Sequence, residues 1–184
     1  WPEALDLSQV IDGIGADFNA FTGKEYTGFY VKSASEHLDL SLDVLSDMLY
    51  TSRMRSRDIE REKGVIVEEI NMYNDLPQRN VAELFDAVMY GDVGLGRRID
   101  GNKESVRSFK KGDFAHHLET WYGLDNVCVV VSGYVKLFKD QKGLVKRIDE
   151  YFSKGKWCGK TTAEKEGGFE EHGEVQTTIE CKTC

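Results

Sequence analysis

The stretch that decides the fold runs from Asp58 to Asp75 and reads DIEREKGVIVEEINMYND. Its apolar residues recur every three or four positions, which predicts an amphipathic helix that ends before Pro77. On a helical wheel at about 100° per residue, Glu62 and Glu69 lie on one face between two apolar groups. Both carboxylates therefore fall inside the arc that we expect to be buried. The first apolar group is Ile59, Ile66, Ile70 and Tyr73, and the second is Val65 and Met72.

Two carboxylates in a buried arc need compensation, because an unpaired buried charge is strongly destabilising. A metal ion or a cluster of cationic partners would provide it. Alternatively, both glutamates reach solvent from the edge of the apolar stripe or pair with arginines, and the wheel alone favours this explanation. Glu68 lies on the opposite, solvated side.

Upstream of this helix, residues Phe18 to Ser33 predict two short strands. They are rich in Phe, Tyr, Thr and Val, and Gly23–Lys24–Glu25 forms the turn between them. Ser33 and Glu36 have the spacing of a capping box and predict the start of the next helix. Further helices are predicted at about 38–49, 79–90, 111–121 and 139–152.

The apolar run Asn126–Ser132, NVCVVVS, predicts a fully buried strand. Residues 153–173 are rich in Gly, Lys and Glu and predict a linker, and residues 174–182 are a last strand candidate. Strands and helices in this order predict an α+β fold, a mostly antiparallel sheet with helices packed on one face. We expect residues 1–152 to form the folded part and residues 153–184 to contain the linker.

The composition excludes several classes of protein. Of the 184 residues, 24 are Lys or Arg and 32 are Asp or Glu, so the net charge is −8 and nucleic acid is not an expected partner. No stretch has the ~18 uncharged apolar residues of a membrane span. The four cysteines are too few for a disulfide scaffold, and a zinc module built on Cys181 and Cys184 is a remote hypothesis. Since the chain starts at Trp1, we expect it to be a processed form or a fragment.

Four segments occur in an order that is more specific than any one of them. They are residues 13–49 (GIGADFNAFTGKEYTGFYVKSASEHLDLSLDVLSDML), 59–77 (IEREKGVIVEEINMYNDLP), 90–109 (YGDVGLGRRIDGNKESVRSF) and 126–135 (NVCVVVSGYV). Together they resemble the pitrilysin/insulinase family of zinc peptidases, and most of all mitochondrial processing peptidase and its bacterial relatives. The likeness runs from about Trp1 to Phe152. It implies that residues 1–152 form a partial catalytic-type domain and that residues 153–184 are a linker that begins the connection to a second half.

The resemblance implies roles for the two glutamates. Members of this family bind Zn²⁺ through an inverted H-x-x-E-H helix, and a distal glutamate on a second helix completes the site. Glu69 matches that distal metal ligand, and Glu62 matches the catalytic-site glutamate that supports it. Asn19 and Ala20 match the edge strand that binds an extended peptide substrate by β-augmentation. An ordinary paired strand is the alternative for that segment.

The sequence departs from the family in one important respect, because no H-x-x-E-H occurs in its 184 residues. None of the four histidines is a credible ligand; they are His37, His116, His117 and His172. If family spacing holds, the motif lies about a dozen residues before Trp1. We then expect the strands of residues 17–33 to lack covering neighbours, which would leave their apolar side chains in solvent. These side chains are Phe18, Phe21, Phe29 and Val31.

Two functions remain open. The first is a fragment of a zinc metalloendopeptidase that cuts unfolded peptides or presequences together with a second homologous half or subunit. The second is a non-catalytic homologue that serves as a scaffold or partner subunit. Such homologues tend to lose metal ligands, so the retained Glu62 and Glu69 favour the enzyme. A bacterial-type cytoplasmic location is expected, with the mitochondrial matrix as the alternative.

Overall fold

The α+β class predicted from the sequence is confirmed. A computed structural model describes residues 3–134 and 141–153. Within these ranges, helices surround one two-stranded antiparallel sheet. The elements are α1 (Ala4–Gly13), β1 (Asp17–Thr22), β2 (Thr27–Lys32), α2 (Leu38–Tyr50), α3 (Ser56–Asn74), α4 (Pro77–Tyr90), α5 (Lys103–Ser108), α6 (Lys111–Trp121) and α7 (Gln141–Phe152). None of the described helices has the length and apolar character needed to cross a membrane.

The hairpin β1–β2 forms as predicted, with Asp17 opposite Lys32 and Thr22 opposite Thr27. The Phe21 ring lies across the strand on Gly28, where an added Cβ would come within 2.2 Å of a ring carbon. A larger residue at this position would require the exposed Phe21 ring to move aside. At the tip of the hairpin, Lys24 Nζ donates to the Arg97 carbonyl oxygen at 2.7 Å and pairs with Glu83 of α4 at 3.3 Å. These contacts fix the turn against α4.

A helix that the sequence did not predict, α1, covers the hairpin. Leu7 and Ile11, one helical turn apart, are buried against Val44 of α2. Phe18 and Val31, which face each other across the strands, pack on this cluster. The expectation that these two side chains face solvent is therefore wrong, because α1 and α2 shield them. Of the four apolar side chains considered, Phe29 is also half-buried and Phe21 is exposed.

The predicted capping box at Ser33 and Glu36 is also wrong. Ser33 lies five residues before α2, and its hydroxyl is 2.9 Å from the Ser41 hydroxyl. A short 3₁₀ turn, Ser35–His37, leads into the helix instead.

The predicted buried strand at residues 126–132 does not form. Leu124–Asn126 is a 3₁₀ turn, and the residues after it are extended without strand pairing in the described part of the chain. Val129 and Val131 pack on the core between α2 and α7, whereas Val130 is 80 % exposed. Burial on one side only explains the error, because an apolar run does not reveal whether a neighbouring strand is present.

Helices α3 and α5 form a separate cluster. Val67 and Ile70 of α3 are buried against Val106 of α5.

The helix predicted at 139–152 is confirmed from Gln141 onward, where α7 begins. The linker and strand predicted at 153–173 and 174–182 lie outside the described residues apart from Ser153.

Helix α4 has its polar side turned toward the molecule. Glu83 and Asp86 face Lys24 of the hairpin, and no residue of this helix is buried. Its exposed apolar residues share the opposite side; they are Val81, Leu84, Phe85, Val88 and Met89. The solvent-facing side of α4 is therefore strongly apolar in the described part of the chain.

Candidate functional site

Helix α3 places Glu62 and Glu69 on one face, as the wheel predicts. They are seven residues apart in a continuous helix, so their backbone positions are separated by two turns, or about 10 Å along the axis. Both side chains therefore project from the same side of α3.

Both glutamates are exposed, so the expectation of a buried arc is wrong for them. The buried side of α3 carries Ile59, Val67 and Ile70 and is rotated away from the two carboxylates. The second apolar group of the wheel stays uncovered, since Val65 is 46 % and Met72 is 50 % exposed. The glutamates thus lie between a buried apolar group and an exposed one.

The other acidic residues of α3 have polar partners. The Glu60 carboxylate pairs with Lys63 at 2.6 Å, and the Glu68 carboxylate accepts a hydrogen bond from Asn71 at 3.2 Å. Asp58 lies 3.6 Å from the Arg57 guanidinium. Glu62 and Glu69, by contrast, accept no hydrogen bond and form no ion pair with the described residues. Their charges are therefore available to a group outside the described residues.

Glu69 lies in an open, nearly flat groove on this outer face of α3. The other lining residues come from the same helix; they are Arg61, Gly64, Val65, Glu68 and Met72. None of these neighbours was predicted as a site residue. The signal for Val65 and Met72 was present on the wheel, where they form the second apolar group beside the glutamates.

The described residues contain no group of three His, Cys, Asp or Glu side chains that could hold a metal ion. His37 is half-buried and lies 3.5 Å from Glu36, whereas His116 and His117 are exposed on α6. His172 lies outside the described residues. A zinc site would therefore receive Glu69 from this part of the chain as a single oxygen ligand. Carboxylate oxygen belongs to the ligand set that Zn²⁺ uses in proteins.

The outer edge of β1 is not paired with another strand in residues 3–134 and 141–153. The Gly23 N–H donates to the Tyr26 carbonyl oxygen at 2.7 Å, which identifies this pair as hydrogen-bonded. Because hydrogen-bonded and non-hydrogen-bonded pairs alternate in antiparallel strands, odd-numbered residues of β1 bond inward to β2. The backbone groups of Phe18, Ala20 and Thr22 therefore face the outer edge.

The two residues expected to bind substrate have different backbone directions. Asn19 is opposite Tyr30, and by this alternation its backbone N–H and C=O groups bond inward to β2. Only its side chain can therefore reach the outer edge. Ala20 is opposite Phe29, and its N–H points outward and donates to Oδ1 of Asn19 at 2.8 Å. Both residues are exposed.

The glutamate face and the strand edge lie on different elements. Within the described ranges, no hydrogen bond or ion pair between side chains joins α3 to β1. The indirect connections are made by residues outside both: Lys24 of the hairpin turn contacts α4, which follows α3 directly.

Comparisons with known proteins give a consistent result. The family model of the insulinase peptidases, peptidase family M16, matches residues 1–103. The chain is 34 % identical over 159 residues to the uncharacterized zinc protease YmxG of Bacillus subtilis, covering 86 % of this chain and 38 % of YmxG. It is 35 % identical over 150 residues to the mitochondrial-processing peptidase subunit beta of Lentinula edodes, covering 82 % of this chain and 31 % of the subunit.

A solved structure agrees in fold. The crystal structure of an M16-like peptidase from Alicyclobacillus acidocaldarius matches with a TM-score of 0.66 and 26 % sequence identity, over 84 % of this chain and 35 % of that one. The chain thus spans about a third of the length of these relatives. Because the family model covers more than half of the 184 residues, the chain belongs to the insulinase family of peptidases, peptidase family M16.

Proposed function

We propose that this chain is part of a zinc-dependent metalloendopeptidase that hydrolyses unfolded peptides or presequences. The observation that carries the proposal is the exposed face of α3, where Glu62 and Glu69 have no polar partner among the described residues. In a member of peptidase family M16, with relatives named as zinc proteases, a free pair of this kind favours a metal site over a solvated surface.

Glu69 is the proposed zinc ligand. One carboxylate fits Zn²⁺ as part of a larger ligand set, and an H-x-x-E-H helix outside these 184 residues would supply the remaining protein ligands and the general base. When bound, the ion supplies Lewis-acid chemistry for peptide hydrolysis. Glu62, about two turns away, is proposed to orient this site by hydrogen bonding to its ligands.

The outer edge of β1 is the proposed substrate-binding strand. The outward N–H and C=O groups of Phe18, Ala20 and Thr22 can bond to an extended peptide backbone with little regard for its sequence. Lys24 anchors the hairpin turn through its contacts with the Arg97 carbonyl oxygen and with Glu83 of α4.

The proposed partner is a second homologous half or subunit, joined through residues 153–184, with residues 1–152 as the catalytic-type domain. The exposed apolar side of α4 and the name of one relative as a subunit support such an assembly. The bacterial relatives support a bacterial-type cytoplasmic location, and the mitochondrial names keep the matrix as the alternative.

The test is a peptidase assay on the complete protein that contains this chain, with an internally quenched unfolded peptide as substrate. We expect cleavage that a chelator abolishes and zinc restores. Glu69→Gln should abolish cleavage, Glu62→Gln should reduce it less, and Glu68→Gln on the same helix should leave it unchanged. A purified, folded protein without cleavage or zinc would instead support the non-catalytic scaffold subunit.

A further inference from the structure

The backbone of Ala20 occupies the middle of the free edge of β1. Its N–H is one of three outward donors, between those of Phe18 and Thr22, and the Asn19 side chain already accepts its hydrogen bond at 2.8 Å. The acceptor comes from the adjacent residue of the same strand. Oδ1 of Asn19 therefore takes the place that a carbonyl oxygen of an added strand would take.

We propose that the Asn19 carboxamide is a removable cap on the edge strand. It satisfies the Ala20 N–H while no strand is bound, and it must turn away when an extended peptide pairs with β1. This inference rests on the proposed substrate-binding role of that edge. The cap also protects an exposed edge from pairing with unrelated strands, which is a general need of proteins with unpaired strands.

The cap weakens peptide binding by the net free energy of one solvent-exposed hydrogen bond, because that bond must break before the peptide can pair with Ala20. A net contribution of this kind changes a binding constant by about two- to tenfold. Removal of the carboxamide should therefore tighten the binding of an extended peptide. The peptide then displaces only water from the Ala20 N–H, and no longer the Asn19 side chain. A residue that only contacts substrate would weaken binding when it is removed.

Amide hydrogen exchange of the 184-residue chain tests the cap without any ligand. In Asn19→Ala, the protection factor of the Ala20 amide should fall about tenfold, while the inward amides of residues 19 and 21 stay protected. Asn19→Asp keeps an acceptor and should retain protection at Ala20. Unchanged protection of Ala20 in Asn19→Ala, or equal loss at residues 19, 20 and 21, would overturn the proposal.

Peptide binding tests the competition. With a fluorescent decapeptide of alternating threonine and valine, Asn19→Ala should bind about two- to tenfold more tightly than the unchanged chain. Equal or weaker binding would refute a cap that competes with substrate. Binding by neither form would refute the substrate role of β1, and the exchange result alone would then decide whether Asn19 caps Ala20.

Discussion

At the scale of residues, the exposure of Glu62 and Glu69 depends on which apolar group of α3 another element covers. A helical wheel gives the angle between Glu62, Glu69 and the apolar groups, and α3 confirms that both lie on one face. It does not reveal which apolar group is covered by another element. Val106 of α5 covers Ile70, whereas nothing described covers Met72, so the carboxylates are exposed.

Exposed glutamates without polar partners contribute little to folding. We expect Glu62→Gln and Glu69→Gln to change the free energy of unfolding of the 184-residue chain by less than about 0.5 kcal/mol. Ile70→Ala, in the buried face of the same helix, should cost about 2–5 kcal/mol. Urea denaturation followed by circular dichroism measures both. A loss above 1 kcal/mol in Glu69→Gln would mean that this carboxylate has a structural partner.

At the scale of elements, local patterns predicted the hairpin and the long helices, and they failed where burial depends on distant parts of the chain. Helix α1 has only two buried residues, Leu7 and Ile11, and so gives a weak periodic signal. The segment after Asn126 has the composition of a central strand but meets the core on one side only. Neither error could be corrected from the local sequence, because each depends on what packs against the segment.

The connection between α1 and α3 gives a pH-dependent prediction. Arg55 donates two hydrogen bonds, of 2.6 and 3.0 Å, to the Glu3 carboxylate, and this side-chain hydrogen bonding lowers the pKa of Glu3 below its ordinary value of 4.5. The folded state then binds the proton less well than the unfolded state. The stabilisation is fully present above the unfolded pKa and is lost as the pH falls through the lowered, folded pKa.

Glu3→Gln should therefore lower the midpoint of thermal unfolding at pH 7, and the difference should disappear once the solution is acidic enough to protonate Glu3. Scanning calorimetry over a pH series measures this. The control is Glu119→Gln, at an exposed position of α6 without an ion pair among the described residues, and it should show no difference at any pH. A Glu3→Gln difference that persists in acid would show that packing, and not the ion pair, is responsible.

At the scale of the whole molecule, the order of the segments identified the family, and the family model confirms it over residues 1–103. The α+β class was predictable because a pair of strands is followed by a run of helices with clear turns and periods. The apolar side of α4 was not predicted to face solvent, since Val81, Leu84 and Val88 have the spacing of a buried stripe. That pattern indicates a covering partner without identifying it.

Zinc affinity is also a property of the whole molecule, because several side chains must hold the ion together. We expect the 184-residue chain to bind Zn²⁺ only weakly and to have no peptidase activity, because one carboxylate does not hold the ion in a four-coordinate site. Isothermal titration calorimetry with zinc alone should show no submicromolar 1:1 binding. Tight binding that Glu69→Gln abolishes would mean that the chain supplies a fuller ligand set than Glu69.

The most direct test of the central claim is the zinc content of the complete protein that contains this chain, measured by inductively coupled plasma mass spectrometry of the purified protein. We predict one zinc ion per chain in the unchanged protein and in the Glu68→Gln control. Glu69→Gln should lose the metal, and Glu62→Gln should retain it with lower occupancy. Full zinc occupancy in folded Glu69→Gln would contradict the assignment of Glu69 as a metal ligand.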